Sequence, residues 1–286
     1  GSCHDTGGST SSCAVTHHQR KYQLIYFAFA ANSMSSDATP SEATSAETEA
    51  APAPSASANL AVVQQRVAAA ASGRPVSLVA VSKTKPVELL RECYDAGHRA
   101  FGENYVQEIV AKAPQMPADT VWHFIGSLQS NKAKELVRGV PALAVLETLD
   151  SVKLADLLEK AVAGLSPPRA APLGVMLQVN TSPWEGTKSG VAMGDDLVAL
   201  ARHVQSACPS LRLVGLMTIG EPGNAACFAS LVESRAALTS ALELPSDGLR
   251  LSMGMSADFE TAIAAGSDSV RVGSSIFGAR SYPAKR

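Results

Sequence analysis

No two cysteines in this chain stand in a CxxC pair. The five present, Cys3, Cys13, Cys93, Cys208 and Cys227, are scattered and odd in number. Such a set is a poor framework for disulfides or for a structural zinc site, and it fits a reducing compartment better. The HExxH zinc motif and the GxxxxGK[ST] phosphate loop are also missing. Residues 273–278 have the glycine spacing of that loop but not its lysine. The formal net charge is only −2, so there is no electrostatic footprint for nucleic acid or for an anionic membrane surface. An apolar run at 22–31 follows Arg20 and Lys21, but it is too short to span a bilayer.

What the chain does have is apolar residues, 46% of 286, ample for one large core. They are unevenly spread. Residues 34–58 are Ala, Ser, Thr and Pro with acidic residues and no basic one. That stretch buries too little apolar surface to offset its ordering entropy. Residues 1–58 are therefore expected to be a disordered extension. For 1–33, a signal peptide, an organellar transit peptide or a non-native segment ahead of Met34 all stay open. The folded domain is expected to span 59–286, with Asn59 capping its first helix.

From Asn59 onward, short apolar runs alternate with helical patterns. Strands are expected at 77–82, 99–101, 121–125, 144–147, 174–180, 213–218, 250–253 and 269–272. Helices are expected at 60–71, 87–96, 106–113, 131–137, 151–163, 194–208, 225–242 and 257–265. Strand alternating with helix implies a parallel sheet covered by helices. Eight such units predict a (β/α)8 TIM barrel. A doubly wound open sheet is the alternative, but the turn after the first strand, Lys83-Thr84-Lys85-Pro86, lacks the glycines of its phosphate turn.

A barrel places its chemistry at the C-terminal strand ends. Lys83 closes the β-branched run Leu78-Val79-Ala80-Val81-Ser82, and an amine at the edge of an apolar pocket is the nucleophile a Schiff base needs. The bland alternative is a lysine that runs out to water. Two small-residue turns follow the seventh and eighth strands, Gly254-Met255-Ser256 and Gly273-Ser274-Ser275. Small residues let backbone N–H groups approach an anion, so a phosphate is expected there. The competing reading makes Ser256 and Ser274 ordinary helix N-caps.

Six segments carry a family resemblance: VSKTKP at 81–86, FGENYVQE at 101–108, WHFIGSLQSNK at 122–132, GLMTI at 215–219, LSMGMSAD at 251–258 and RVGSSIFG at 271–278. In this order they resemble the pyridoxal phosphate homeostasis proteins, whose fold is that of the alanine racemase N-terminal domain (fold type III among pyridoxal phosphate proteins). The resemblance covers 59–286. It implies that Lys83 carries pyridoxal 5′-phosphate as an internal aldimine. It also implies that Arg271 faces the pyridine nitrogen, that Ser256, Gly273 and Ser274 hold the phosphate, and that Asn104 and Met217 line the ring with His123 nearby. Lys85 is a second amine within the motif. One departure is visible: Pro183 and Trp184 are unusual for the family in the loop that reaches Lys188-Ser189-Gly190.

Two functions from different classes follow. An arginine partner leaves the pyridine nitrogen unprotonated and the electron sink weak. Racemisation also needs a second base, and Tyr105 is a poor candidate with its hydroxyl expected at the rim. The expected function is therefore a non-enzymatic, cytoplasmic carrier in vitamin B6 homeostasis, with mitochondrial or plastid targeting left to residues 1–58. It is expected to be a monomer or weak dimer whose partners are pyridoxal phosphate and apo forms of pyridoxal phosphate-dependent enzymes, with no metal, nucleic acid or membrane. A weak amino-acid racemase is the alternative. His98 and His203 are expected at the surface, Cys93, Cys208 and Cys227 in or near the core, and Trp122 outside the barrel strands.

Overall fold

The computed structural model describes residues 55–182, 190–221 and 223–279. Most of the expected extension, 1–54, lies outside these residues, as do Pro183, Trp184 and Lys188. The first element is helix α1 (Ala56–Ala71). Eight strands follow: β1 (Ser77–Val81), β2 (Ala100–Glu103), β3 (Val121–Phe124), β4 (Leu143–Leu149), β5 (Leu173–Gln178), β6 (Leu211–Met217), β7 (Arg250–Ser252) and β8 (Ser269–Val272). Between them run α2 (Val87–Asp95), α3 (Val106–Lys112), α4 (Ala133–Gly139), α5 (Val152–Ala163), α6 (Asp195–Ala207), α7 (Ala226–Ala241) and α8 (Phe259–Ala264), and the one-turn α9 (Ser274–Phe277) follows β8. The strands are parallel and close into a barrel in sequence order. The closing seam pairs β1 with β8, Val79 opposite Arg271 and Ala80 opposite Val272. Closure excludes the open-sheet alternative.

Alternation along the strands separates two environments. Outward residues such as Phe101, Trp122, Phe124, Leu146, Leu177, Leu216, Leu251 and Val270 form the large core beneath the helices. The Phe101 and Trp122 rings meet there at 6.1 Å. Each large aliphatic side chain buried in that layer contributes about 1.5–3 kcal/mol. A small separate cluster, Val145, Met176 and Met217, fills the barrel axis. Gly102 leaves room beside it: a Cβ there would stand 2.8 Å from Val79 Cγ1.

Two expectations are corrected. α1 starts three residues ahead of Asn59 and is capped by Ser55, whose hydroxyl accepts from the Ala58 N–H. Asn59 instead donates from its side chain to the Ile276 carbonyl, tying α1 to α9. Alanine is the best helix former, so Ala56 and Ala58 extend the helix into a stretch whose composition hides it. His98 is buried rather than at the surface: its ring packs edge-on against Phe101 and its Nε2 donates to the Ala100 carbonyl. Cys93, Cys208 and Cys227 are free and buried.

Candidate functional site

Parallel closure brings the C-terminal strand ends to one mouth. Beneath that mouth a single polar network crosses the barrel. Arg271 on β8 donates from Nη1 to Ser252 Oγ on β7 at 2.6 Å and from Nη2 to the Thr218 carbonyl after β6 at 2.8 Å. Ser252 Oγ in turn donates to Glu147 Oε2 on β4 at 2.6 Å. The other Glu147 oxygen lies 2.6 Å from His123 Nδ1 on β3. An ionised carboxylate only accepts, so Nδ1 carries the hydrogen. Four strands and the residue after a fifth thus contribute to one chain of contacts, and Arg271, Ser252, Glu147, His123 and Thr218 are all buried.

The charges in this network are mutually dependent. Burial alone would push the Glu147 carboxyl up. The hydrogen bond and charge of His123, then the Arg271 charge and the Ser252 hydroxyl, outweigh it and hold Glu147 below the usual carboxylate range. Burial lowers Arg271 from its ordinary value, opposed by Glu147 and Asp258, yet an arginine remains a cation. Arg271 Nη1 stands 3.9 Å from Glu147 Oε2, so Ser252 Oγ bridges the two charges. Glu147 marked a strand end in the sequence but carried no assigned role, because nothing local to β4 shows that Arg271 lies across the barrel.

The sequence-predicted residues fall around this network. Met217 is fully buried beside Val145 and Met176, an apolar floor. Ser256 and Gly273 are in contact: the Gly273 N–H donates to Ser256 Oγ at 3.1 Å, which leaves the hydroxyl hydrogen of Ser256 to donate elsewhere. Ser256 is therefore not an N-cap. The caps of α8 and α9 are Asp258 and Gly273, neither with a side-chain capping bond, and Ser274 is the exposed first residue of α9. Gly254 holds φ +93°, and a Cβ there would stand 2.5 Å from that of Ala262, so no other residue fits this turn without strain.

Lys83 sits in the turn after β1, half-buried. Asn104, after β2, has its Oδ1 buried without a protein partner, as has Thr84 with its Oγ1. Gly126 packs directly on this segment, since a Cβ there would lie 2.0 Å from the Asn104 carbonyl oxygen. Lys85 is turned away: its Nζ donates to the Ala279 carbonyl at 2.6 Å. Tyr105 is 51% exposed. Among the described residues, one trio of potential metal ligands lies together, Asp156, His203 and Cys208. It belongs to the outer helical layer, and burial with Glu159 and Asp156 pushes the Cys208 thiol up to about 11, away from the thiolate a metal takes. The mouth thus offers a buried cation, an apolar floor, glycine turns bearing hydroxyls, and orphaned polar atoms. Together these suit an anionic, planar ligand.

Comparison with known proteins agrees with this geometry. The family model described as "Alanine racemase, N-terminal domain" matches residues 55–281. The chain is 47% identical over 227 residues to the pyridoxal phosphate homeostasis protein of Schizosaccharomyces pombe, covering 77% of this chain and 91% of that protein. It is 43% identical over 244 residues to the mouse protein of the same name, covering 79% and 87%. Among solved structures, PipY of Synechococcus elongatus with PLP bound superposes with a TM-score of 0.63 at 35% identity, covering 76% of this chain and 100% of that one. Alanine racemase of Corynebacterium glutamicum, at 15% identity and a TM-score of 0.57 over 80% of this chain and 63% of that one, shares the fold.

Proposed function

Because the chain belongs to the pyridoxal phosphate homeostasis protein family, we propose that it binds pyridoxal 5′-phosphate at the barrel mouth through Lys83 and holds it for vitamin B6 homeostasis. The observation that carries this reading is the buried Arg271, anchored by Ser252 and Thr218 on the mouth side of a Met217 floor. The residues fit the group. Ser256, Gly273 and Ser274 would take the phosphate, Arg271 the pyridine nitrogen, and Asn104, with its unpartnered Oδ1, and Met217 the ring. Bound there, the group supplies an aldehyde that condenses with an amine, a phosphate and a heteroaromatic ring.

The chain's own residues favour holding over turnover. Arg271 is a permanent donor and has no proton to give at neutral pH. Glu147 balances the Arg271 charge through the Ser252 bridge, so the site presents fixed donors rather than a field of excess charge. His123 is engaged by Glu147 inside the barrel. Among the described residues, the tyrosine beside the mouth, Tyr105, is half exposed, a poor environment for a positioned base. We therefore read the protein as a non-catalytic carrier. Amino-acid racemisation by the loaded protein is expected at background, and turnover of alanine above a Lys83→Ala control would favour the weak racemase instead.

Transfer to apo-enzymes is part of this proposal. Mixed with an apo-enzyme, the loaded protein is expected to restore its activity faster than release into free solution allows; equal rates would exclude direct transfer. We place the protein in the cytoplasm, with the barrel that opens on α1 as the binding domain and the residues ahead of Ser55 as a separate extension. Among the described residues no helix is long and apolar enough to cross a membrane.

The direct test is an absorption spectrum of the full chain with added pyridoxal phosphate, before and after borohydride, beside Lys83→Ala. A protein-bound band that reduction removes, absent from Lys83→Ala, is the expected result. No such band in the wild-type chain would overturn the reading.

A further inference from the structure

Two lysines two positions apart, Lys83 and Lys85, stand in one turn, and the proposed function needs one of them. The peptide units on either side of Lys83 are both held by side chains of α3, which Glu103 of β2 braces. Lys112 donates to the Ser82 carbonyl at 2.9 Å, and Glu108 Oε2 accepts from the Thr84 N–H at 2.7 Å. The Ser82 carbonyl belongs to the peptide plane before Lys83, and the Thr84 N–H to the plane after it. Peptide groups are planar, so holding both planes holds the φ and ψ of the residue between them, and with these the direction of its side chain.

The clamp is completed within itself. The ammonium group of Lys112, a buried residue, has three hydrogens, and all are engaged: by Ser82, by Glu103 Oε1 at 2.8 Å and by Glu108 Oε2 at 2.7 Å. Ser82 Oγ also donates to Glu103 Oε1 at 2.6 Å. Thr84 carries φ +61°, a conformation a threonine keeps only where neighbours impose it. A buried ion cluster whose task was to seat α3 on the barrel would have no need to reach both peptide units flanking one lysine. The peptide unit before Lys85 is held by a backbone bond instead, from the Lys85 N–H to the Ser82 carbonyl at 3.1 Å, and the Lys85 amine bonds the Ala279 carbonyl at the rim.

We infer that Glu103, Glu108 and Lys112 are positioning residues that fix the backbone around Lys83 and thereby select Lys83 over Lys85 as the amine that takes an aldehyde. This rests on the cofactor reading above, and the two fail differently. The full chain is incubated with pyridoxal phosphate, reduced with borohydride and digested, and the label on Lys83 and Lys85 is quantified by mass spectrometry. Wild type is expected to carry the label on Lys83. In Glu108→Ala the Lys83-to-Lys85 ratio is expected to fall about tenfold or more, since misplacing a reacting group by 1 Å costs up to about 100-fold. Glu108→Gln keeps an acceptor oxygen and is expected to recover most of the ratio. A general loss of stability would lower total label without redistributing it. A folded Glu108→Ala chain with the wild-type ratio overturns the inference, as does wild-type label chiefly on Lys85; label on neither lysine overturns the cofactor reading with it. Should Glu108→Ala not fold, amide exchange at Thr84 in the wild-type chain decides: slowing by about 100-fold over a free peptide supports the clamp, and exchange at the free rate overturns it.

Discussion

Glu147 accepts hydrogen bonds from His123 and from Ser252 and faces Arg271 across the barrel. Removing one partner from a buried charge pair leaves the other uncompensated, a loss of about 3–5 kcal/mol. Glu147→Ala is therefore expected to lower the urea unfolding free energy by about that amount. It should also weaken retention of pyridoxal phosphate, because Arg271 and Ser252 lose their common anchor. A change below about 1 kcal/mol would mean that Arg271 is neutralised by another group. At this scale the sequence was legible in part. Arg271, Met217, Ser256 and Gly273 stand in contiguous motifs, and each motif names its own residues. The Glu147 role and the Lys112 clamp were not legible, because their partners lie 105 and 30 positions away, at Ser252 and Ser82.

At the scale of elements, short-range physics decides more. The eight strands and their intervening helices follow from apolar runs and helical periodicity, with ends displaced by a few residues. β1 stops at Val81, and Ser82 to Lys85 close with a turn bond from the Lys85 N–H to the Ser82 carbonyl. α1 was the poorly read element. Its buried residues Ala56, Leu60, Val63, Val67 and Ala71 keep helical spacing, but its first turn is Ala-Ser-Ala and resembles the low-complexity stretch before it. That turn is fixed from two sides, by Ser55 and by Glu92 of α2, which accepts from the Ser57 N–H and hydroxyl at 2.9 and 2.8 Å. Ser55→Ala is expected to cost about 1 kcal/mol, a fall of about 2–4 °C in Tm for a domain of this size. Calorimetry checks it, and an unchanged Tm would show that Glu92 alone holds the helix start.

For the whole molecule, burial makes stability depend on pH. His98 is held near pKa 4, against an ordinary value of 6.5, chiefly by burial. The folded state thus favours the neutral ring, and its contribution is complete above pH 6.5. It is lost as pH falls from 6.5 to about 4, at about 1.4 kcal/mol per unit and about 3 kcal/mol in all. Glu147, held below its ordinary 4.5, adds a second loss as pH drops beneath that value. Urea midpoints between pH 7 and 5 are expected to decline in wild type and to stay nearly flat in His98→Leu. Equal slopes in the two would assign the acid sensitivity to other groups.

What the sequence by itself determined is the alternation of eight strands with helices and the chemistry waiting at each strand's end. Periodicity, small-residue turns and a strand-terminal lysine act over a few neighbouring residues, and a linear reading captures them. Barrel closure decided the rest. It set Val79 beside Arg271, brought His123, Glu147, Ser252 and Arg271 into one buried network, and turned a lysine and a carboxylate of one helix onto the peptide planes around Lys83. These contacts depend on register and on which inward positions share a layer. Both are set by packing around the full circle of strands, to which no single segment has access.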